Sequence, residues 1–191
     1  LAGPTGSGKT AAALAIAEFV PLEIISVDSQ GVIMPDRPNL TLDKEYLSKL
    51  HLLAPGNTYT LKDALLGADI VIGVSKADML SQDDIRIMAD HPIVFSLANP
   101  EPEIKPELAI AAGAKVVATG RSDYPNQVNN VLAFPGIFRG ALDNGVKKIT
   151  DDHKIAAAEA IAALIDNPTA ELVIPSPLDA RVCQAVASVI T

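Results

Sequence analysis

Residues 67–100 read GADIVIGVSKADMLSQDDIRIMADHPIVFSLANP. Two short apolar runs, Asp69–Val74 and Ile93–Ala98, have the length and composition of strands. Between them, Ser81 is followed three residues later by Asp84, close to a capping box, and opens a helix. Strand, helix and strand at this spacing form a βα pattern, which points to a parallel sheet. The same pattern extends in both directions. Glu23–Val27 (EIISV) and Lys115–Thr119 (KVVAT) read as further strands, and Leu1–Ala2 as the stump of a first one. Helices are predicted over Thr10–Phe19, Leu42–Leu53, Thr60–Leu66 with Gly67 as its stop, and Glu107–Ala112 with Gly113 as its stop. Beyond the last strand the chain reads as mainly helical, over Asn126–Ala133, Gly136–Asp143, Asp151–Ile165 and Asp179–Ile190. A short Leu172–Val173–Ile174 run precedes Pro175. The expected fold is a doubly wound α/β sheet with a helical C-terminal annex, all 191 residues forming one domain.

Composition agrees with this reading. Hydrophobic residues make up 49% and charged residues 20%, a globular balance. Four Phe, three Tyr and no Trp leave the core to Ala, Val, Ile and Leu, which suits helices packed on a parallel sheet. A formal charge of −8 repels phosphate backbones, so no nucleic-acid partner is expected. One cysteine, Cys183, excludes an internal disulfide and any thiolate metal cluster, and fits a reducing compartment. No apolar stretch approaches the roughly 18 residues of a membrane span. The chain starts Leu-Ala-Gly-Pro, without a leader or an initiating Met, and is expected to be a soluble cytoplasmic fragment with no membrane partner.

In an open parallel sheet, ligands bind outside the carboxyl ends of the strands. Those ends are Gly3–Thr10, Asp28–Ser29, Gly73–Val74–Ser75, Asn99–Pro100 and Thr119–Gly120–Arg121. All are small or polar residues following apolar runs, and together they suggest one crevice for a phosphate-bearing ligand. The glycine loop reads in two frames. Gly3-x-x-x-x-Gly8-Lys9-Thr10 satisfies the triphosphate-loop pattern, in which Lys9 meets the β and γ oxygens and Thr10 ligates Mg²⁺. Gly6-x-Gly8-x-x-Ala11 fits the dinucleotide fingerprint of a Rossmann-like sheet. Asp28 then stands where a carboxylate accepts hydrogen bonds from an adenosine ribose and repels a 2′-phosphate. On the loop alone, the first frame is the more specific.

Two resemblances divide the chain. Residues 1–29, LAGPTGSGKTAAALAIAEFVPLEIISVDS, resemble the opening of tRNA dimethylallyltransferases, which implies a diphosphate-binding loop and an aspartate base at Asp28. From about Gly31 to Thr191 the chain resembles the NAD-binding domain of bacterial malic enzymes. GADIVIGVS (67–75), HPIVFSLANPEPEI (91–104), AGAKVVATGRSDYPNQVNNVLAFPGIFRGALD (112–143) and VIPSPLDARV (173–182) carry that likeness. The sequence departs from the family at Lys9–Thr10, where small residues are expected.

The malic-enzyme resemblance implies that Gly6, Gly8 and Ala11 admit the pyrophosphate to a helix N-terminus. It implies Asp28 on the adenosine ribose, and Gly73, Val74 and Ser75 along the nicotinamide half. Asn99 would contact cofactor or malate, Asn129 the nicotinamide ribose, and Asn130 the malate carboxylate. Amides suit a carboxylate, because they donate without titrating near neutral pH. The implied reaction is hydride transfer from malate C2 to NAD, loss of CO₂, and protonation of the enolate to pyruvate, with Mg or Mn as Lewis acid in the full-length enzyme. NADP is the other dinucleotide the pattern leaves open. The family's acid/base pair and metal carboxylates lie mainly upstream, so no catalytic or metal-binding residue is expected in this chain. The implied full-length form is a homo-oligomer with malate and pyruvate as small-molecule partners. Two alternatives stand beside this reading: a P-loop transferase like the tRNA dimethylallyltransferases, and a non-catalytic dinucleotide-binding module.

Other residues have plainer readings. His51, His91 and His153 lack ligand spacing. Asp83–Asp84 and Asp151–Asp152 begin helices, where carboxylates favour the dipole. Cys183 is expected in the core, Tyr124 in packing and Lys147–Lys148 in solvent. Arg121 stays open between a ligand and a structural role. Asn129 and Asn130 have a local alternative as caps of the turn that leads to Pro135.

Overall fold

The computed structural model describes Ile16 and residues 23–191. The expected strand at Leu1–Ala2 and the glycine loop lie outside the described residues, as does the helix over Thr10–Phe19 except Ile16, which is helical. The chain divides into two compact units, residues 1–117 and 118–191.

In the first unit, β1 (Val27–Asp28) and β2 (Gly31–Val32) form an antiparallel hairpin. This differs from a strand over Glu23–Val27. The backbone upstream of Val27 bonds outside any ladder: Ile24 N–H donates to Leu50 O at 2.8 Å, and Ser26 O accepts from Ile33 N–H at 2.8 Å. Helix α1 (Leu42–Leu47) is shorter than the predicted Leu42–Leu53, because the chain turns after Ser48, whose hydroxyl donates back to Glu45 O. Helix α2 (Leu61–Leu65) starts at a Thr60–Asp63 capping box and stops before Gly67, whose φ of +71° closes the turn.

Strands β3 (Ile70–Gly73) and β4 (Ile93–Ser96) run parallel, pairing Ile70 with Ile93 through Gly73 with Ser96, and β5 (Val116–Thr119) continues the order β3-β4-β5. The crossover carries α3 (Gln82–Arg86), and the predicted Ser81 signal is a full capping box with Asp84. Helix α4 (Pro106–Ala111) begins with Pro at its first turn, where a missing N–H is harmless. Leu65, Val71, Leu80, Ile85, Met88, Val94, Ile104, Ala109, Ala114 and Val117 form the main core. Each buried Val, Leu or Ile there contributes about 1.5–3 kcal/mol relative to exposure. This apolar layer fixes where β3 and β4 end, and so where their loops begin.

The second unit holds a 3-10 turn (Asn130–Leu132), α5 (Phe134–Asn144), α6 (Asp151–Ala162) and α7 (Ala180–Ser188). The predicted Asn126–Ala133 helix is absent. Asn126 has φ +55°, and its side chain accepts from Val173 N–H at 2.9 Å and donates to Ala170 O at 2.8 Å. Gln127 then bridges to Thr119 in parallel fashion. These longer-range bonds replace the local ladder that a helix would need. Helices α5 and α7 meet closely at glycines: a Cβ on Gly136 would lie 2.5 Å from Val186 Cβ, and one on Gly140 would lie 2.5 Å from Ala187 O. Val182, Val186 and Ile190 form the buried stripe of this C-terminal region. Cys183 is exposed, contrary to the expected core position, because it sits one residue off that stripe.

Candidate functional site

Asp28 closes β1 with a carboxylate that is only 7% exposed. Its Oδ1 accepts from Gln30 N–H at 2.9 Å and from Arg37 Nη1 at 3.1 Å. Its Oδ2 accepts from Arg37 Nη2 at 3.0 Å and from Lys44 Nζ at 2.7 Å. Burial pushes this carboxyl up, but the hydrogen bonds from Arg37, Lys44 and the Gln30 amide outweigh it and hold the pKa at about 2. Arg37 also donates to Val32 O and Gln30 Oε1, which ties it to the hairpin. The residue predicted from strand-end spacing is therefore an ionised carboxylate under two cations.

The loops after β3 and β4 leave the same, carboxyl edge of a parallel pair. Gly73 is buried, Val74 and Ser75 are half-buried, and Asn99 is exposed. Leu97 N–H donates to Gly73 O at 3.0 Å, so the two loops start in register. Between them lies Glu103, a fully buried carboxylate that the reading of the sequence did not single out. Its Oε1 accepts from Ser75 N–H at 2.7 Å, and its Oε2 from Ala98 N–H at 3.0 Å. Ser96 Oγ accepts from Ile104 N–H at 3.0 Å and turns its single proton toward Glu103 Oε2 or Ile104 O, each 3.2 Å away. A Cβ on Gly73 would lie 2.5 Å from Glu103 Cδ, so only glycine leaves room for this carboxyl group. One sequence signal existed. Ser96 shares a strand face with Val94, and a polar residue on an inward face needs a buried partner.

In the second unit, Asn129 caps the 3-10 turn, its Oδ1 accepting from Val131 N–H at 3.0 Å, and Asn130 is exposed. The local capping alternative thus describes part of what Asn129 does. Thr119 Oγ1 accepts from Arg121 N–H at 3.2 Å, while the Arg121 guanidinium pairs with Asp123 and lies 5.6 Å from the Tyr124 ring centroid. Gly6, Gly8 and Ala11, with Lys9 and Thr10, lie outside the described residues.

Two of the three histidines and Asp84 have structural partners. His51 is buried, with Nε2 against Ile33 O at 3.2 Å and Nδ1 accepting from Leu53 N–H at 3.2 Å. His153 completes a capping box with Thr150, and Asp84 completes the one at Ser81. Among the described residues no group of three His, Cys, Asp or Glu could hold a metal ion. Nor is any described helix long and apolar enough to cross a membrane.

A family model described as "Malic enzyme, NAD binding domain" matches residues 15–190. The chain belongs to the malic enzyme family. The match takes in half of the 1–29 stretch that resembles tRNA dimethylallyltransferases, and the comparisons do not support that second resemblance. Over 190 residues the chain is 47% identical to a "Bifunctional malic/malolactic enzyme" of Bacillus subtilis, covering 96% of this chain and 46% of that one. An "NADP-dependent malic enzyme" of Halomonas elongata is 40% identical over 87% of this chain and 42% of its own length. The solved NAD-dependent malic enzyme of Thermotoga maritima superposes with a TM-score of 0.90 at 38% identity, over 99% of this chain and 50% of that one. The chain thus spans about half the length, or less, of these malic enzymes. The doubly wound, Rossmann-like fold agrees with these neighbours.

Proposed function

We propose that this domain binds NAD for a malic enzyme that converts malate to pyruvate and CO₂. The observation that carries the reading is the pair of loops at the carboxyl edge of β3 and β4, pinned to each other through Glu103. That edge is where an open parallel sheet receives a nucleotide. Gly73, Val74 and Ser75 line the nicotinamide half, and Asn99 reaches cofactor or malate. Asn129 donates to the nicotinamide ribose, and Asn130 to a malate carboxylate. Gly6, Gly8 and Ala11 admit the pyrophosphate, and Asp28 receives the adenosine ribose. When bound, the nicotinamide supplies the acceptor for the malate C2 hydride. Proton transfer and Mg or Mn binding belong to parts of the longer enzyme upstream of this domain, and the whole enzyme works as a homo-oligomer in the cytoplasm.

A specific observation favours NADP as a second reading. Arg37 and Lys44 place two positive charges on the one negative charge of Asp28, a balance that tolerates a 2′-phosphate. Calorimetric titration of the chain with NAD, NADP and Mg·ATP at one salt concentration separates the readings. Tighter binding of NAD supports the first reading, and tighter binding of NADP supports the second. Preference for Mg·ATP would refute both and make Lys9 and Thr10 a working triphosphate loop.

A further inference from the structure

We propose that Glu103 is a positioning residue, which sets the spacing of the two nicotinamide-side loops and so governs affinity for the nicotinamide half of the dinucleotide. The inference rests on the cofactor-domain reading above. A fully buried carboxylate is a poor choice for packing alone, since an apolar side chain of similar volume avoids its desolvation cost. What a carboxylate supplies is two acceptor atoms at a fixed separation. Here one oxygen holds Ser75 N–H, two residues beyond β3, and the other holds Ala98 N–H, two residues beyond β4. Both N–H groups stand past the last ladder position of their strands, where sheet pairing no longer constrains them. Backbone bonds from the same segment reinforce the stitch: Leu80 N–H donates to Glu103 O at 2.9 Å, and Asp78 N–H to Pro102 O at 3.2 Å. Residues 102–103 therefore grip the whole β3 exit loop, while the Glu103 side chain ties that loop to the β4 exit that presents Asn99. Both acceptor atoms belong to one rigid, planar carboxyl group, so the two bonds together fix the separation of the loops. Gly73 is the complementary half of the device, because any side chain there would displace the carboxyl group.

The substitution that keeps shape and removes function is Glu103→Gln. An amide has one acceptor atom, so either Ser75 N–H or Ala98 N–H must face an NH₂ group. The test is calorimetric titration of the unsubstituted 191-residue chain and the variant with NAD and with ADP. ADP carries the adenosine and pyrophosphate and lacks the nicotinamide half. The expected result is at least a tenfold loss of NAD affinity with ADP affinity within twofold. A residue that merely holds the core together would weaken both ligands alike. Gly73→Ala should reproduce the same split with the carboxylate retained, and it carries the test if Glu103→Gln does not melt cooperatively. Equal losses for NAD and ADP, unchanged NAD affinity, or failure of both variants to fold would overturn the proposal. An unsubstituted chain that binds ADP but not NAD would also overturn it, whereas one that binds neither refutes the cofactor-domain reading itself.

Discussion

Replacing Asp28 with Asn removes one charge from a cluster that holds β1, β2 and α1 together. In the folded chain the Asp28 carboxyl titrates at about 2, well below the ordinary aspartate value of 3.8. A group whose pKa is lowered by folding stabilises the fold above its unfolded value and loses that contribution as the pH falls toward the folded one. Linkage over this interval gives about 2 kcal/mol at pH 7, falling to about half by pH 3. Asn keeps the size of the side chain and can still accept from Gln30 N–H, but it leaves Arg37 and Lys44 without their shared carboxylate oxygen. Urea unfolding of both proteins should be followed at pH 7, 5, 4 and 3. The stability gap between wild type and variant should be widest at pH 7 and shrink by about 1 kcal/mol by pH 3. A gap that stays constant across this range would show that Asp28 is not ionised against the two cations, and would refute the electrostatic account.

Asp28→Ala should also release Arg37 and Lys44, weakening NAD and narrowing its advantage over NADP in the titration; an unchanged ratio would remove Asp28 from the ribose site. Gly140→Ala sets a methyl group against Ala187 O and Ile190 in the α5–α7 contact, and should lower stability by about 1–3 kcal/mol in urea unfolding. Asn126→Ala deprives Ala170 O and Val173 N–H of their partner, with an expected loss of about 1–3 kcal/mol by the same assay. Lys9→Ala should abolish any Mg·ATP binding seen by calorimetry and change NAD affinity only mildly.

Features set by neighbouring residues were legible in the sequence. The β3–α3–β4 unit follows from two apolar runs around a Ser81–Asp84 signal, and the ends of α2 and α4 from Gly67 and Gly113. Gly73–Ser75 and Asn99 do follow the carboxyl ends of β3 and β4, whereas Asp28 ends a two-residue strand of an antiparallel hairpin, not the predicted Glu23–Val27 strand of the parallel sheet. Such signals are short-range, because capping, periodicity and turn geometry act within a few residues. Only tertiary structure decided the rest. Glu103 meets Ser75 across 28 positions, and Asp28 meets Arg37 and Lys44 across 9 and 16. Asn126 leaves the predicted helix because its partners lie 44 and 47 residues away. Cys183 faces solvent because packing assigned the buried stripe of α7 to Val182 and Val186. A carboxylate in a loop and a carboxylate buried as a clamp are the same letter in a sequence. What separates them is which backbone N–H groups the fold has left without partners nearby, and that depends on where the strands stop.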